Sequence, residues 1–476
     1  MARITVGSVY FLRLDPVRWA ERQPFPPLGT LYAAGTLLER GHAVSFFDAM
    51  IAEKIEDWAA LLDEAQPHIA LLYDDNFNYL SKMCLSSMRE AALRMVAQAH
   101  ERGAKVAVCS ADASDHPQLY INAGADAVIL GEGEVTVREL TALWSAGGTD
   151  LSGIAGVAWP NLNGLVRNPR REPIRDLDSL PPPAWDLVDM MAYRRVWIEH
   201  HGHFALNLVT SRGCPYSCNW CAKPIWGQGY AVRSAEAVAD ELAGLVALAQ
   251  PDYLWFMDDI MGLKPRWWRE FADALERLDV KVPFKCLSRA DLVLREGAAD
   301  DLKRAGCDIV WLGAESGSQK ILDAMDKGLT TAEIADATLQ LKLAGIRVGH
   351  FLQFGYPGEG MPEIAETLSM LRRTGPDEMG ISVSYPLPGT VFYDRVQAQL
   401  REKRNWEVSS DMAMLYRGTF TTRFYRHLHR YVHRDFRLRR TLARRLTLKG
   451  AAFVAYCAVA IPVSWLKLQA LRLSAP

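Results

Sequence analysis

The chain has 476 residues, of which 49% are hydrophobic, 23% charged and 10% aromatic. This length exceeds one ordinary domain and can bury several hydrophobic cores, so we expect two or three domains. A formal net charge of −2, with 34 Gly and 24 Pro, excludes a collagen-like chain, a wholly disordered chain and one that coats nucleic acid along its length.

The charge is divided unevenly along the chain. Residues 417–476 hold thirteen Lys and Arg and one acid, Asp435, so this segment carries +12. The rest of the chain holds 41 bases and 55 acids and carries −14. A basic tail on an acidic body is typical of a segment that faces phosphate, anionic lipid or an acidic partner.

The first 150 residues alternate short β-rich runs with helical stretches. The β-like runs are Ile4–Phe11, Ala43–Asp48, Ile69–Tyr73, Val106–Cys109 and Ala127–Leu130. This alternation predicts a doubly wound, Rossmann-like parallel sheet in an α/β domain over residues 1–150. Ligands of such sheets bind beyond the carboxyl ends of the strands, so the loops that follow residues 73, 109 and 130 should share one face.

The middle of the chain predicts a linker and then a second α/β unit. Residues 151–200 are Pro-rich and predict a linker with one small hairpin. Residues 201–410 contain six further β-like runs separated by helical segments, which predict a partial (β/α)6 barrel with its chemistry at the carboxyl ends of the strands. Residues 411–476 predict a basic helical C-terminal tail.

Three cysteines, Cys214, Cys218 and Cys221, lie within eight residues of one another after the first β-like run of the second unit. This density indicates metal binding rather than a disulfide framework. Three thiolates at this spacing can hold one face of an iron–sulfur cube and leave its fourth iron without a protein ligand. The alternative is a structural zinc site whose fourth ligand is a nearby histidine: His200, His201 or His203.

The spacing CxxxCxxC, with Trp220 before the last cysteine, resembles the signature of radical S-adenosylmethionine (SAM) enzymes over roughly residues 204–390. The resemblance implies that Cys214, Cys218 and Cys221 bind a [4Fe–4S] cluster whose open iron chelates SAM, with Trp220 near the adenine. In this family one electron from the reduced cluster cleaves SAM to a 5′-deoxyadenosyl radical. A reduced flavodoxin or ferredoxin is the electron donor that the family implies.

Polar and Gly-rich residues close the later β-like runs in the order that this family shows. The resemblance implies that Asp258 receives the amino group of SAM and that Glu315 accepts from the ribose hydroxyls. Arg289, beside Ser288, is expected to pair with the SAM carboxylate, and Gly355 lets the backbone approach the ligand. The alternatives are a solvated acidic turn at the aspartate and a salt bridge on the barrel rim at the arginine.

A doubly wound unit ahead of such a barrel resembles the cobalamin-binding class of the radical SAM superfamily. The segments that carry this resemblance are residues 26–34, 39–48 and 128–134. It implies that the following residues lie near the corrin: Leu28, Gly29, Asn76, Phe77, Gly131, Glu132 and Gly133. Gly131 and Gly133 are expected to let a flat corrin edge approach the backbone, where a Cβ would collide.

The chain departs from the corrinoid pattern at two loops. Arg13–Arg18 stands where related domains carry DxHxxG, so we expect cobalamin to bind without an axial His from that loop. Asp74–Tyr79 is expected below the corrin, and Cys109–Ser114 replaces a Gly-Gly-Pro-His-like turn. A nicotinamide-binding unit is the competing interpretation, and it is disfavoured because no GxGxxG follows the first strand.

The tail interleaves bases with aromatic residues over 423–434 and continues through Arg437, Arg439-Arg440 and Arg444-Arg445 to an uncharged run of seventeen residues, Gly450–Leu466. This run is at the short limit for a membrane span, and Pro462 interrupts it. Binding in the plane of an anionic membrane and closure of the open barrel are both compatible with the pattern. Nucleic-acid binding is disfavoured because the basic excess is confined to the tail.

These features together predict a cobalamin-dependent radical SAM enzyme that methylates an unactivated carbon of a large or apolar substrate. By resemblance, relatives with this layout include the anaerobic magnesium-protoporphyrin ester cyclase and enzymes that act on hopanoid lipids. An oxidoreductase that closes a ring without methyl transfer is the first alternative, and a non-catalytic cobalamin or iron–sulfur sensor is the second. The first residues have too short an apolar run for a signal peptide, so we expect a cytoplasmic protein, peripheral at the inner face of the membrane if the tail binds lipid.

Overall fold

The structure is a computed structural model of the whole chain, and it describes residues 1–223, 225–400, 406–409, 412–443 and 448–473. Arg444 and Arg445, which the tail pattern includes, lie outside the described residues, as does the predicted boundary at 410–411.

The N-terminal unit is built on a seven-stranded sheet in the order β2-β1-β3-β4-β5-β6-β7. The strands are β1 Arg3–Gly7, β2 Ala43–Phe47, β3 Ile69–Tyr73, β4 Lys105–Cys109, β5 Ala127–Ile129, β6 Val157–Asn161 and β7 Gly164–Arg167. Strands β1 to β5 are parallel, and their order 2-1-3-4-5 is that of flavodoxin-like folds. Because β3 is buried along its whole length, its run of apolar residues is covered on both faces. The predicted doubly wound sheet is confirmed.

Helices cover both faces of this sheet, as parallel strands require. They are α1 Pro16–Glu21, α2 Leu28–Glu39, α3 Glu56–Ala65, α4 Tyr79–Met83, α5 Ser86–Glu101, α6 Ala111–Asp115, α7 Pro117–Asn122 and α8 Glu134–Ser145. The helix α2 is buried from Leu28 to Leu37, so it lies inside the molecule rather than on its surface. The loops after β3, β4 and β5 lie at one edge of the sheet, as the parallel order requires.

The hairpin predicted within the linker belongs to the first sheet. Strand β6 pairs antiparallel with β5 through Val128 and Ala158, and β7 pairs with β6. The pairing covers the edge of β5, which a flat sheet would otherwise leave open to other chains. The N-terminal unit therefore extends to about residue 167, and the remaining segment before the barrel contains the helix α9 Met190–His201.

The second unit contains a six-stranded, wholly parallel sheet in the order β8-β11-β12-β13-β14-β15. The strands are β8 Ala205–Leu208, β11 Tyr253–Phe256, β12 Phe284–Ser288, β13 Cys307–Glu315, β14 Arg347–Phe354 and β15 Glu378–Val383. A separate antiparallel ribbon joins β9 Ser211–Gly213 to β10 Tyr230–Val232. The sequential order of six parallel strands is that of an open barrel, and it confirms the predicted (β/α)6 arrangement.

Helices lie between successive barrel strands. They are α10 Ala235–Ala249, α11 Trp267–Arg277, α12 Ala290–Val293, α13 Ala298–Arg304, α14 Gln319–Ala324, α15 Thr331–Leu343, α16 Met361–Thr374 and α17 Val391–Val396. Short 3-10 turns lie at Leu12–Leu14, Leu177–Ser179, Trp185–Leu187 and Gln397–Gln399. Several of the helices begin at Ser or Thr caps; Ser234, for example, accepts from the N–H of Ala237.

The described part of the tail forms two long helices, α18 Thr422–Leu442 and α19 Leu448–Leu471. The helix α19 continues through Pro462. Five cysteines to which the sequence assigns no role, Cys84, Cys109, Cys286, Cys307 and Cys457, are buried.

Candidate functional site

The three-cysteine loop is enclosed by the β9–β10 ribbon. Gly213, the last residue of β9, has φ +77, and a Cβ there would come within 2.4 Å of the carbonyl oxygen of Gly229. Only glycine tolerates both this backbone conformation and this contact. The two ends of the loop are thus held together immediately before Cys214.

Two side chains of this loop, Lys223 and Asn219, hold it in place through hydrogen bonds. The Lys223 Nζ donates to the carbonyl of Cys214 at 2.6 Å and also to the carbonyl of Tyr216. The Asn219 Nδ2 donates to Ala324 O and Asp326 Oδ2, each at 2.8 Å, and its Oδ1 accepts from the Tyr356 hydroxyl at 2.6 Å. The loop is therefore fixed to the segments that follow β13 and β14, at the carboxyl edge of the barrel.

The three thiols are half-buried on this loop. Among the described residues, no three His, Cys, Asp or Glu side chains converge closely enough to form a metal-ligand set by themselves. Burial raises the pKa of Cys221 to about 12 and that of Cys214 above its ordinary value, with Asp259 and the neighbouring thiols adding to the rise at Cys221. Three soft thiol donors on one braced loop fit an iron–sulfur cluster.

This fold places the candidate histidine ligands of the alternative zinc site far from the three cysteines. His200 and His201 end α9 and His203 precedes β8, at the amino edge of the barrel, whereas Cys214 lies past its carboxyl edge. The His201 ring nitrogen is already within 3.0 Å of the carbonyls of Glu21 and Arg22. The candidate histidines and the cysteines are therefore on opposite edges of the sheet.

Asp258 and Ser288 lie at the carboxyl ends of β11 and β12, as the sequence predicts. The buried carboxylate of Asp258 accepts from the N–H and hydroxyl of Thr210 and, at 2.6 Å, from the hydroxyl of Ser211. Burial raises its pKa to about 6. The Ser288 hydroxyl donates to the carbonyl of Met261 at 3.0 Å. Both side chains tie neighbouring loops together.

Arg289 forms a salt bridge on the barrel rim, which is the alternative that the sequence leaves open for this residue. Its Nε lies 3.0 Å from Asp291 Oδ1, its Nη1 donates to the carbonyl of Lys327, and its guanidinium carbon lies 3.6 Å from the centre of the Tyr216 ring. The guanidinium is thus already engaged by the protein, beside the cysteine loop. A ligand carboxylate at this place must exchange for one of these contacts.

Glu315 and Lys327 form a buried ion pair at the end of β13, with Nζ to Oε1 at 2.9 Å. Glu315 has φ +56, an unusual conformation for a residue with a side chain, and the β13–β14 register shifts beside it. Such strained residues cluster at ligand sites. Neither the lysine nor the strain is predictable from local sequence, since Lys327 is twelve positions away.

Gly355 lies at the carboxyl end of β14, but its close neighbours come from the tail. A Cβ there would meet Met414 and the ring of Tyr425 at 3.1 Å, and its carbonyl accepts from the Tyr416 hydroxyl. The absence of a Cβ therefore admits the tail. This position was expected to admit the ligand, and the structure gives its glycine a different reason.

Trp220 is half-buried on the loop, and its Nε1 has no hydrogen-bond partner among the described residues. Unpaired buried donors are costly. Polar atoms of a SAM molecule fit beside this donor.

The predicted corrin residues of the N-terminal unit share the carboxyl edge of its sheet. Leu28 and Gly29 open α2, where the Gly29 N–H donates to Asp75 Oδ1 at 3.0 Å. Asn76 and Phe77 follow β3, both buried, and the Phe77 ring stacks on Trp226 with centroids 5.4 Å apart. Trp226 belongs to the segment between the cysteines and β10. The β3 loop is thus in direct contact with the cysteine segment.

The glycines after β5 have close protein neighbours. A Cβ on Gly133 would collide with the Tyr73 ring at 2.6 Å, and Gly131 has φ +87 with its Cβ position 3.3 Å from the carbonyl of Ile225. Protein packing and backbone conformation thus already favour glycine at these two positions, and their contact with a corrin edge stays a prediction. Glu132 lies between them and faces the barrel unit.

Arg212 joins the two units and was missed by the sequence analysis. Its guanidinium pairs with Glu132 at 2.5 Å and Glu134 at 2.8 Å, and it lies over the rings of Phe77 and Trp226. It immediately precedes Gly213 and the cysteine loop. The only local signal for this residue is its place before the motif.

The same edge carries buried polar atoms that fit a corrin. Glu134 Oε2 has no hydrogen-bond partner among the described residues. The nearest partner of the Asn76 amide in the structure is the Cys109 sulfur at 3.9 Å, too long for a strong hydrogen bond. The amide side chains of a corrin can donate and accept at these atoms.

Comparison with known proteins agrees with this geometry. Residues 208–371 match the Radical SAM superfamily. An uncharacterized methyltransferase of Pyrococcus horikoshii is 28% identical over 389 residues, which cover 80% of this chain and 81% of that protein. The anaerobic magnesium-protoporphyrin IX monomethyl ester cyclase of Rubrivivax gelatinosus is 26% identical over 392 residues, covering 80% of this chain and 69% of the cyclase.

Among solved structures, the cobalamin-dependent S-adenosylmethionine radical enzyme OxsB with aqua-cobalamin bound has a TM-score of 0.76 at 17% identity, covering 98% of this chain and 72% of OxsB. The superfamily match confirms the resemblance to radical SAM enzymes that the sequence shows, and the likeness to OxsB confirms the α/β fold class. The superfamily match agrees with the predicted [4Fe–4S] cluster and SAM, and cobalamin, the third predicted cofactor, is bound by OxsB. The roles of the individual site residues and the domain boundaries stay predictions.

Proposed function

We propose that this chain, of which residues 208–371 match the Radical SAM superfamily and which shares the two-unit fold of a cobalamin-dependent radical enzyme, methylates an unactivated carbon of a large or apolar substrate. The observation that carries the proposal is the direct contact between the loop after β3 and the cysteine segment, through Phe77 and Trp226. This contact puts the predicted methyl donor and the predicted radical source at one junction.

Each cofactor would be held by its own set of residues at this junction. Cys214, Cys218 and Cys221 would hold the cluster, and Trp220, Asp258, Ser288, Arg289 and Glu315 would hold SAM. Leu28, Gly29, Asn76, Phe77, Gly131, Glu132 and Gly133 would hold cobalamin. When bound, the cluster with SAM supplies a carbon radical and cobalamin supplies a methyl group.

The protein's own contribution is positioning and exclusion of water. Lys223 and Asn219 fix the loop that carries the cysteines, and the buried Arg212 ion pairs close the junction between the units. Glu315 and Lys327 present a buried, paired charge at the end of β13. A closed, water-poor junction protects reactive species from solvent.

The size and polarity of the substrate are proposed by analogy with the relatives. The cyclase named above acts on magnesium-protoporphyrin IX monomethyl ester, a large macrocycle. A reduced flavodoxin or ferredoxin is the proposed electron donor, and the cytoplasm is the proposed compartment.

A ring-forming oxidoreductase is the second candidate, favoured by the likeness to that cyclase. The two reactions differ in the fate of the methyl group of SAM. Anaerobically reconstituted protein is incubated with dithionite, [methyl-14C]SAM and a lipid extract of the source cells, and label is measured in the organic phase. We expect labelled product from the wild type and none from Cys218→Ala; 5′-deoxyadenosine without label transfer favours cyclisation.

The third candidate is a non-catalytic sensor, and the same experiment addresses it. A sensor yields no 5′-deoxyadenosine with dithionite and SAM, although it binds iron and cobalamin. Cys286→Ala, which changes a buried cysteine of β12, is the matched control and should keep SAM cleavage. Retained cleavage in Cys218→Ala would overturn the cluster assignment.

A further inference from the structure

The tail separates into an inner helix and an outer helix, and we propose that the outer helix α19 binds in the plane of an anionic lipid bilayer through its exposed apolar face. The proposal concerns the tail alone and does not depend on the reaction. It assigns the two compatible interpretations of the sequence, barrel closure and membrane binding, to different helices.

The inner helix α18 closes the barrel. Its side chains Phe424, Tyr425, Leu428, Tyr431 and Val432 are buried. Polar contacts add to this packing: Arg440 donates to the carbonyl of Asp377, and Arg372 of α16 pairs with Asp435 at 3.3 Å. The helix α18 is thus part of the folded body and is not available to leave it.

The outer helix packs along α18. Cys457, Ser464 and Leu468 are the buried residues of its inner face. Arg434 of α18 donates to the Ser464 hydroxyl at 2.7 Å, and the rings of Tyr431 and Trp465 are 5.5 Å apart. These contacts fix which side of α19 points outward.

The outward side of α19 is apolar and open to solvent. An 18-residue window within Lys449–Leu471 has a mean hydropathy of 1.7, and only 17% of it is buried. The exposed residues are Ala451, Ala452, Ala455, Tyr456, Ala458, Val459, Pro462, Val463, Leu466, Lys467 and Ala470. Val459 and Leu466 are 69% and 66% exposed. A contiguous apolar surface of this kind marks an interaction site.

The helix is long enough to cross a bilayer, but its neighbour excludes a crossing. The helix α18 carries exposed arginines, among them Arg430 and Arg437, along the same stretch. A hydrocarbon core around α19 would enclose these charges, which is strongly unfavourable. An orientation in the membrane plane instead buries the apolar face and leaves the arginines at the headgroups.

The flanking charge selects an anionic lipid surface over a second copy of this chain. Exposed bases surround the apolar face: Arg430, Arg437, Lys449, Lys467 and Arg472. Two copies joined through this face would bring like charges together. Near an anionic lipid surface, by contrast, each of these bases favours binding.

The test is flotation of the full-length protein with vesicles of phosphatidylcholine alone or with 30% phosphatidylglycerol. We expect binding to the anionic vesicles that falls about tenfold in 0.5 M salt and about tenfold or more in Val459→Asp/Leu466→Asp. The matched control is Leu339→Asp/Leu343→Asp, which changes two exposed leucines on α15, 58% and 79% exposed, and should bind as the wild type does.

Both variants alter exposed side chains, so each should keep the wild-type thermal unfolding midpoint. Equal binding of wild type and Val459→Asp/Leu466→Asp would overturn the proposal. It would also be overturned if sedimentation velocity showed a dimer that this variant abolishes while vesicles bind none of the protein, because a second copy would then cover the face.

Discussion

Arg212 and Glu132, eighty positions apart in the chain, form a buried ion pair with a separation of 2.5 Å between Nη1 and Oε1. The pair crosses the junction between the N-terminal sheet and the barrel. Glu134 shares the same guanidinium at 2.8 Å.

Replacing Arg212 by Met should destabilise the protein strongly. It leaves two buried carboxylates without their cation, and breaking a buried pair in this way costs about 3–5 kcal/mol. We expect a lower urea midpoint, measured by tryptophan fluorescence. The control Arg212→Met/Glu132→Gln/Glu134→Gln removes the uncompensated charge and should recover most of the loss; an unchanged midpoint in the single variant would show that the pair contributes nothing.

Gly213→Ala should prevent the cysteine loop from closing. The new Cβ meets the carbonyl of Gly229 at 2.4 Å, in a backbone conformation that already disfavours alanine. Gly227→Ala is the matched control, because Gly227 has φ +61 in the same loop but nothing within 4 Å of its Cβ position. Iron and sulfide content after anaerobic reconstitution should fall several-fold in the first variant and little in the second; equal losses would contradict the steric argument.

Asn219→Ala should loosen the cysteine loop without unfolding the barrel. It removes side-chain hydrogen bonds to Ala324, Asp326 and Tyr356, each worth about 1 kcal/mol. We expect faster loss of iron during gel filtration, with the thermal midpoint lowered by only a few degrees. Tyr356→Phe removes the hydroxyl that donates to Asn219 Oδ1 and to the carbonyl of Ala324, but keeps both bonds that the Asn219 amide donates, so its effect should be smaller. A larger effect from Tyr356→Phe would show that the tyrosine, not the asparagine, holds the loop.

Glu359 should make stability fall as pH rises. Burial raises its pKa to about 8 from an ordinary value of 4.5, so between these values the folded chain holds a proton that the unfolded chain releases. The stabilisation from the protonated acid is complete below pH 4.5 and is lost as pH rises through 8.

Glu359→Gln keeps an acceptor for the Gly355 N–H but cannot ionise. Urea unfolding at pH 5, 6.5 and 8 should show the variant gaining on the wild type at each step. The exposed Glu366→Gln on α16 is the control and should follow the wild type. A constant difference between Glu359→Gln and wild type across this range would contradict the pKa.

The sequence predicts the repeating part of the fold because each barrel strand is a local apolar run. The run at Val348–Phe354 becomes β14 with its end at the same residue, and Cys214 follows the first barrel strand as the motif requires. A local apolar run does not show which distant strand it pairs with. The hairpin at 157–167 reads as part of a linker, and only its pairing with β5 makes it part of the sheet.

The same limit applies to the site. Local sequence does not predict Arg212 and Lys327 as site residues, because only the fold brings their carboxylate partners to them. The glycine at 133 is correctly singled out as sterically required, but the colliding group is the ring of Tyr73, which comes from another strand. Sequence spacing thus predicts site residues that lie together on one loop. Their partners come from distant parts of the chain and are known only once the tertiary structure is known.

The strand β9 has three residues, and each is fastened to a different part of the molecule. Ser211 donates to Asp258 in the barrel, Arg212 pairs with the N-terminal unit, and Gly213 meets the far end of the cysteine loop. A rotation of the N-terminal unit against the barrel would therefore pull on the residue that precedes Cys214. The angle between the two units is therefore coupled to the conformation of the cysteine loop. A ligand that changes this angle would also change the positions of the three thiols.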